Sequence, residues 1–319
     1  MNKVLLILIF FIFSSDFYAQ KKCYEDSVDA RGYIVSECLR SSKYIDFNEK
    51  LMSEPGTGII LYRSSMQPFT GKCQGCFFND KLWFKMELQS GKKNGPYIVN
   101  YKSGCPKEKG YEIMGIKHGK YLEYFDSTKI VSLKQNYNKG AMNGEQVLFN
   151  KDGDTLSLEN YRNNVLHGKQ SSFFPNLILN IESNYLNGNL HGKYSRYSYN
   201  NKLLLEINYS KGKYHGKKYK YYDNGNIMLE ESWTNGKKQG EFKSFFISGE
   251  TKSYEKYLNN KEEGEFEEKY ENGIVKRQAI YKKGKLICET KYDEYGQKIV
   301  GKKEGDKKSK KGKKDKKNN

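Results

Sequence analysis

Residues 191–216 read HGKYSRYSYNNKLLLEINYSKGKYHG, one complete period between two glycines, Gly192 and Gly216, that stand 24 residues apart. Inside it the side chains alternate with period two. Leu203, Leu205, Ile207 and Tyr209 share one face of an extended segment, and Leu204, Glu206 and Asn208 share the other. Ile227, Leu229 and Trp233 repeat the arrangement one period later. A helix would need period 3.6, so this stretch predicts a strand that ends in a tight turn at Gly212.

The same frame extends outward in both directions. Glycines that follow a polar triplet and open an aromatic strand, expected as the structural turns of the repeat, occur at Gly71, Gly95, Gly119, Gly144, Gly168, Gly192, Gly216, Gly240 and Gly264, with every interval 24 except one of 25 after Gly119. Four residues upstream lies a second column, Gly91, Gly115, Gly140, Asn164, Gly188, Gly212, Gly236 and Asn260. Only Gly and Asn occur there, the residues most tolerant of positive φ, so the column predicts a left-handed turn position. A third column contains Gly104, Gly153, Gly225, Gly249 and Gly273, and Asp223-Asn224-Gly225 and Glu271-Asn272-Gly273 are hairpin-turn signals. Tyr137, Tyr161, Tyr185, Tyr209, Trp233, Tyr257 and Tyr281 form an aromatic column.

Composition agrees with this pattern. The 319 residues include 27 Tyr and 30 Gly but only 5 Pro, a balance that disfavours a helical bundle or a buried parallel sheet. Tyr also brings burial area that a disordered chain lacks. The expected fold is all-β: an elongated, single-layer antiparallel β-meander of about nine 24-residue hairpin repeats. No hairpin can bury its own faces, so each depends on its neighbours.

The motif His191-Gly192-Lys193-Tyr194, followed by Tyr199-Asn200-Asn201, Leu205-Glu206 and Tyr209-Ser210-Lys211-Gly212, resembles the bacterial variant of the MORN repeat, over about residues 71–287. Many members of that family are labelled antitoxins of toxin–antitoxin pairs. The resemblance implies a β-meander used for binding or scaffolding and carries over no catalytic residue. The Gly-x-Gly and Tyr-x-Gly pattern of the eukaryotic branch is missing, so that branch's lipid-binding role is not carried over.

Segments outside the repeats have their own signatures. Residues 1–19 combine Lys3, an apolar run from Val4 to Phe13 and a small residue at Ala19, which predicts a secretory signal peptide and a periplasmic, cell-surface or extracellular destination. Residues 20–70 are expected to cap the first sheet edge, with a short helix at Val35–Arg40 and a strand at Ile59–Arg63. Residues 288–300 read as a degenerate final strand. Residues 301–319 hold ten lysines against three acids, contribute +7 of the net charge of +18, and are expected to be disordered.

Candidate chemistry is sparse. His118, His167, His191 and His215 each precede an anchor glycine. Successive histidines would sit about 9 to 10 Å apart, too far to share a zinc that each ligand must approach to about 2 Å. They read as turn residues, and Glu182, Glu206 and Glu230 as a solvated stripe. Cys73-Gln74-Gly75-Cys76 lacks the second pair of a zinc site. In an exported chain it predicts disulfides among Cys23, Cys38, Cys73 and Cys76, with Cys288 free or bridging two chains; zinc held with Cys105 and His118, or a catalytic dithiol, are the lesser readings. No catalytic residue, metal or cofactor is expected.

The leading functional expectation is an exported, non-enzymatic scaffold for protein–protein interaction. An antitoxin or immunity-like protein bound to a cognate toxin is the first alternative. The second is docking to an anionic membrane or polymer surface through the lysine-rich tail, with nucleic acid disfavoured for an exported chain.

Overall fold

A computed structural model describes residues 45–299. The expected signal peptide, Cys23, Cys38, the helix expected at Val35–Arg40 and the lysine-rich tail lie outside the described residues.

Two successive residues of positive φ close each hairpin. At Lys211 and Gly212 the angles are 49° and 76°, and Ser210 pairs with Lys213 across them. Two-residue turns of this hand match the twist of the flanking strands, which is why the second position holds only Gly or Asn. Asn164 and Asn260 take φ of 66° and 68° in the same column. The turns also interlock: the Gly236 amide donates to the Tyr214 carbonyl at 2.8 Å, and Gly188 donates to Leu166 at the same distance.

The opposite edge uses longer loops. Tyr222 N–H donates to the Asn226 carbonyl and Gly225 N–H to the Tyr222 carbonyl, both at 2.9 Å, with Gly225 at φ 92°. That is a four-residue turn followed by a left-handed glycine, the usual second choice for a hairpin. Tyr222 Oη then donates 2.8 Å to the Phe245 carbonyl one repeat later.

The chain is nearly all β and forms open antiparallel meanders in which strands follow one another in chain order. It divides into two compact units, Met1–Lys202 and Leu203–Asn319. In the first unit, strands from Gly71–Cys76 to Gly192–Tyr197 each pair with the next. In the second, strands from Leu203–Ser210 to Lys285–Lys291 do the same. The last strand runs four residues beyond Ile287 and so completes the ninth hairpin; a single bridge, Tyr292 with Lys298, follows it.

The anchor glycines are not the turns themselves. Gly119, Gly144, Gly168, Gly192 and Gly264 open a strand just after a bulge at the preceding residue, whereas Gly95, Gly216 and Gly240 lie inside a longer strand at the corresponding register shift. Tyr185 pairs with Leu190, yet Glu182 pairs with Ser195, so two extra residues are absorbed around His191 and Gly192. His191 N–H donates to the Asn184 carbonyl at 2.8 Å, and Gly192 sits at φ 84° with Asn184 Cβ 3.9 Å from where its own Cβ would be. All nine anchors have positive φ.

The first unit begins with a cap. Ile45–Asp46 lies parallel to Gly71–Cys76, and Asp46 accepts from Asn48 N–H at 2.7 Å to start the short helix Phe47–Lys50. A small hairpin, Leu51–Ser53 with Ile60–Tyr62, completes it. Leu51, Phe69, Cys73, Phe84 and Leu88 form a buried cluster here. Elsewhere a single layer leaves most strand positions half-buried, because no second sheet covers either face.

Candidate interaction faces

The aromatic column lies on one face of each meander. In the second unit its rings contact one another edge-on: Tyr209 to Tyr214 at 5.1 Å between centroids, Tyr214 to Trp233 at 5.2 Å, Trp233 to Phe242 at 5.6 Å and Phe242 to Tyr257 at 4.8 Å. This row arises because Trp233 pairs with Lys238 across one ladder and with Gly216 across the other. Gly216 opposite Trp233 and Gly240 opposite Tyr257 leave room for those rings to lean onto their neighbours. Edge-to-face pairs of this kind are each worth about 0.5–1.5 kcal/mol beyond area burial.

Charged groups frame the rings. Trp233 Nε1 donates to Glu231 at 3.0 Å, and Tyr257 Oη donates to Glu255 at 2.6 Å; in each case the acceptor stands two residues back on the same strand face. Lys238 Nζ lies 4.9 Å from the Phe242 centroid and 4.3 Å from that of Tyr257. The first unit repeats the device. Tyr161 donates to Glu159 at 2.7 Å, Tyr121 to Glu108 and Glu123 at 2.8 Å, and Lys117 Nζ stands 3.8 Å from the Tyr121 centroid. Burial first, then the Glu159 carboxylate, pushes the Tyr161 phenol up to about 12. The same causes raise Tyr121 and Tyr257 further. These phenols therefore stay protonated donors.

The other face is ionic. Lys217 pairs with Glu230 at 2.5 Å, Lys134 with Glu145 at 3.2 Å, and Lys169 with Glu182. Glu182 and Glu230 of the expected stripe are thus in ion pairs on the sheet, and such exposed pairs contribute only about 0–1 kcal/mol each. Beneath the anchors runs an amide column absent from the sequence-based expectations. Asn136, Asn160, Asn184 and Asn208 donate their side-chain amides to the carbonyls of Glu145, Lys169, Lys193 and Lys217. Its signal was present: an Asn eight residues before four successive anchors.

The histidines occupy the bulges. His118 and His167 donate their backbone N–H groups to Tyr111 and Asn160, and no group of three or more metal-ligating side chains occurs among the described residues. The cysteines depart from expectation. Cys73, expected in a disulfide, is a free thiol, while Cys288 is free as expected. Cys73 points into the cap cluster, where burial pushes its thiol up to about 12. Cys76 and Cys105 instead stand where strands meet their loops, at the end of Gly71–Cys76 and just before Pro106–Ile113.

No protein-family model matches the chain, and a search of curated proteins finds no match to it.

Proposed function

We propose that this chain is an exported, non-enzymatic scaffold whose aromatic face binds another protein in the periplasm or at the cell surface. The observation that supports it is the ring row from Tyr209 to Tyr257, in which the half-buried Tyr209, Tyr214 and Trp233 are locked against the buried Phe242 and Tyr257 and bordered by Glu231, Lys238 and Glu255. Aromatic anchors that are already ordered lose little entropy on binding, and a charged border gives register. Placing a photo-crosslinking residue at Trp233 on the aromatic face and at Tyr219 on the ionic face tests this. Adducts in envelope preparations from position 233 alone, to one protein whose purified form binds the chain, are the expected result.

A second reading takes the resemblance to MORN-variant antitoxins at its word. It makes the partner a toxin in the same compartment, and protection of cells that express such a toxin would be its test. A third gives the lysine-rich tail a tether role at an anionic surface, where each basic residue near a membrane contributes about 1 kcal/mol. Deleting residues 301–319 should then abolish binding to anionic vesicles at low salt.

A further inference from the structure

We propose that the turn edge of the second unit is a docking line for a linear anionic polysaccharide. This surface is separate from the aromatic face, and it stands or falls independently of the scaffold reading.

Charge in this unit is sorted by edge. Four turns, 210–213, 234–237, 258–261 and 282–285, carry exposed Lys211, Lys213, Lys237, Lys261, Lys282, Lys283 and Lys285 and no acidic residue. The opposite loops, 222–226, 246–250, 270–274 and 293–297, carry Asp223, Glu250, Glu271, Asp293 and Glu294 and no lysine. A polyanion is thus drawn to one edge and repelled from the other.

Pairing sharpens the contrast. Lys217, Lys218, Lys243, Lys269, Lys276, Arg277 and Lys291 each lie in an ion pair with a glutamate on the strands. Among the described residues none of the seven turn lysines is ion-paired. Two carboxylates reach the fourth turn: Glu262, whose Oε2 lies 3.6 Å from where a Gly284 Cβ would be, and Glu263, tied to the Lys283 backbone N–H at 2.7 Å. Unpaired ammonium groups need less desolvation to bind a new anion than paired ones, which must first give up a partner.

The form of the row selects the partner class. Neighbouring turns are two strands apart, about 10 Å, so the lysines make a sparse line of charge held at fixed intervals by the sheet. Duplex nucleic acid carries a charge every ~1.7 Å, far denser than this row, and the turns present no aromatic ring for stacking single-stranded bases. A bilayer offers a plane, where a ridge one turn wide makes poor contact. A polysaccharide with one acidic group per few sugars matches a sparse line. Exposed Asn235 and Asn259, standing between the lysines, supply amides suited to sugar hydroxyls.

The test uses the full chain with three probes: a hyaluronan oligosaccharide, whose single carboxylate per disaccharide gives the sparse spacing required, duplex DNA and vesicles of anionic phospholipid. The variant carries Lys213→Gln, Lys237→Gln, Lys261→Gln and Lys285→Gln, and its charge-matched control carries Lys102→Gln, Lys120→Gln, Lys129→Gln and Lys151→Gln in the first unit. The turn variant should bind hyaluronan roughly tenfold more weakly or worse, and the control should bind within about twofold of the parent. Lysine acetylation read by mass spectrometry should find the four turn lysines protected by hyaluronan. Equal loss in both variants, or no protection of the turn row, overturns the proposal by making net charge or the tail sufficient. Tighter, turn-dependent binding of DNA or vesicles overturns the choice of polysaccharide.

Discussion

Asn184 donates its side-chain amide to the Lys193 carbonyl at 3.1 Å, across the bulge that opens at His191. The bulge breaks the ladder, and the amide restores one of the lost hydrogen bonds. Replacing Asn184 with Ala should cost about 1 kcal/mol, the usual net worth of one hydrogen bond. The equivalent Asn208→Ala should cost a similar amount, whereas Ala at exposed Asn200 should change little. Urea denaturation of the three variants checks this.

The turn column predicts a graded response. Gly212 at φ 76° should tolerate Asn, which already stands at positions 164 and 260, with a small loss. Gly212→Val forces a branched residue into a region it avoids and should cost about 1–3 kcal/mol. Thermal melting of both variants reads the difference, and equal melting temperatures would contradict the turn geometry.

The cap should be the most sensitive place for truncation. Phe69 is 1% exposed within the cluster of Leu51, Cys73, Phe84 and Leu88. Phe69→Ala should cost about 3–5 kcal/mol through lost contacts and the cavity left behind. Hydrogen exchange should show that loss concentrated in the first repeats, because repeat units couple mainly to their neighbours.

Thiol reactivity should divide the two free cysteines. Cys288 is exposed and Cys73 is buried, with its thiol pushed up to about 12. Iodoacetamide at pH 8 should label Cys288 in the native protein and reach Cys73 only after denaturation, as peptide mapping would record.

Alkali should destabilise the fold through its tyrosines. The Tyr161 phenol is held up to about 12 against an ordinary value of 10, so between those values the unfolded chain has released a proton that the folded chain retains. Stability from this group is full below pH 10 and falls as pH rises from 10 towards 12. Tyrosinate absorbance should therefore rise later in the native protein than in urea, and Tyr161→Phe should flatten the dependence.

Much of this molecule was legible from residue order. A 24-residue spacing of glycines, an Asn-or-Gly turn column and period-two alternation depend on local backbone sterics, which neighbouring residues alone decide. They determined an all-β meander and the face on which Tyr209 and Trp233 stand. Three features needed the tertiary structure. Whether a recurring glycine closes a turn or follows a bulge depends on cross-strand register, so Gly192 read like a turn until Tyr185 was placed opposite Leu190. Which cysteine stays a free thiol depends on facing and burial, so Cys73, an expected disulfide partner, sank into the cap instead. And the sorting of lysines to one edge and carboxylates to the other emerges only when turns 24 residues apart are stacked side by side, a proximity that chain distance conceals and hydrogen bonding between strands creates.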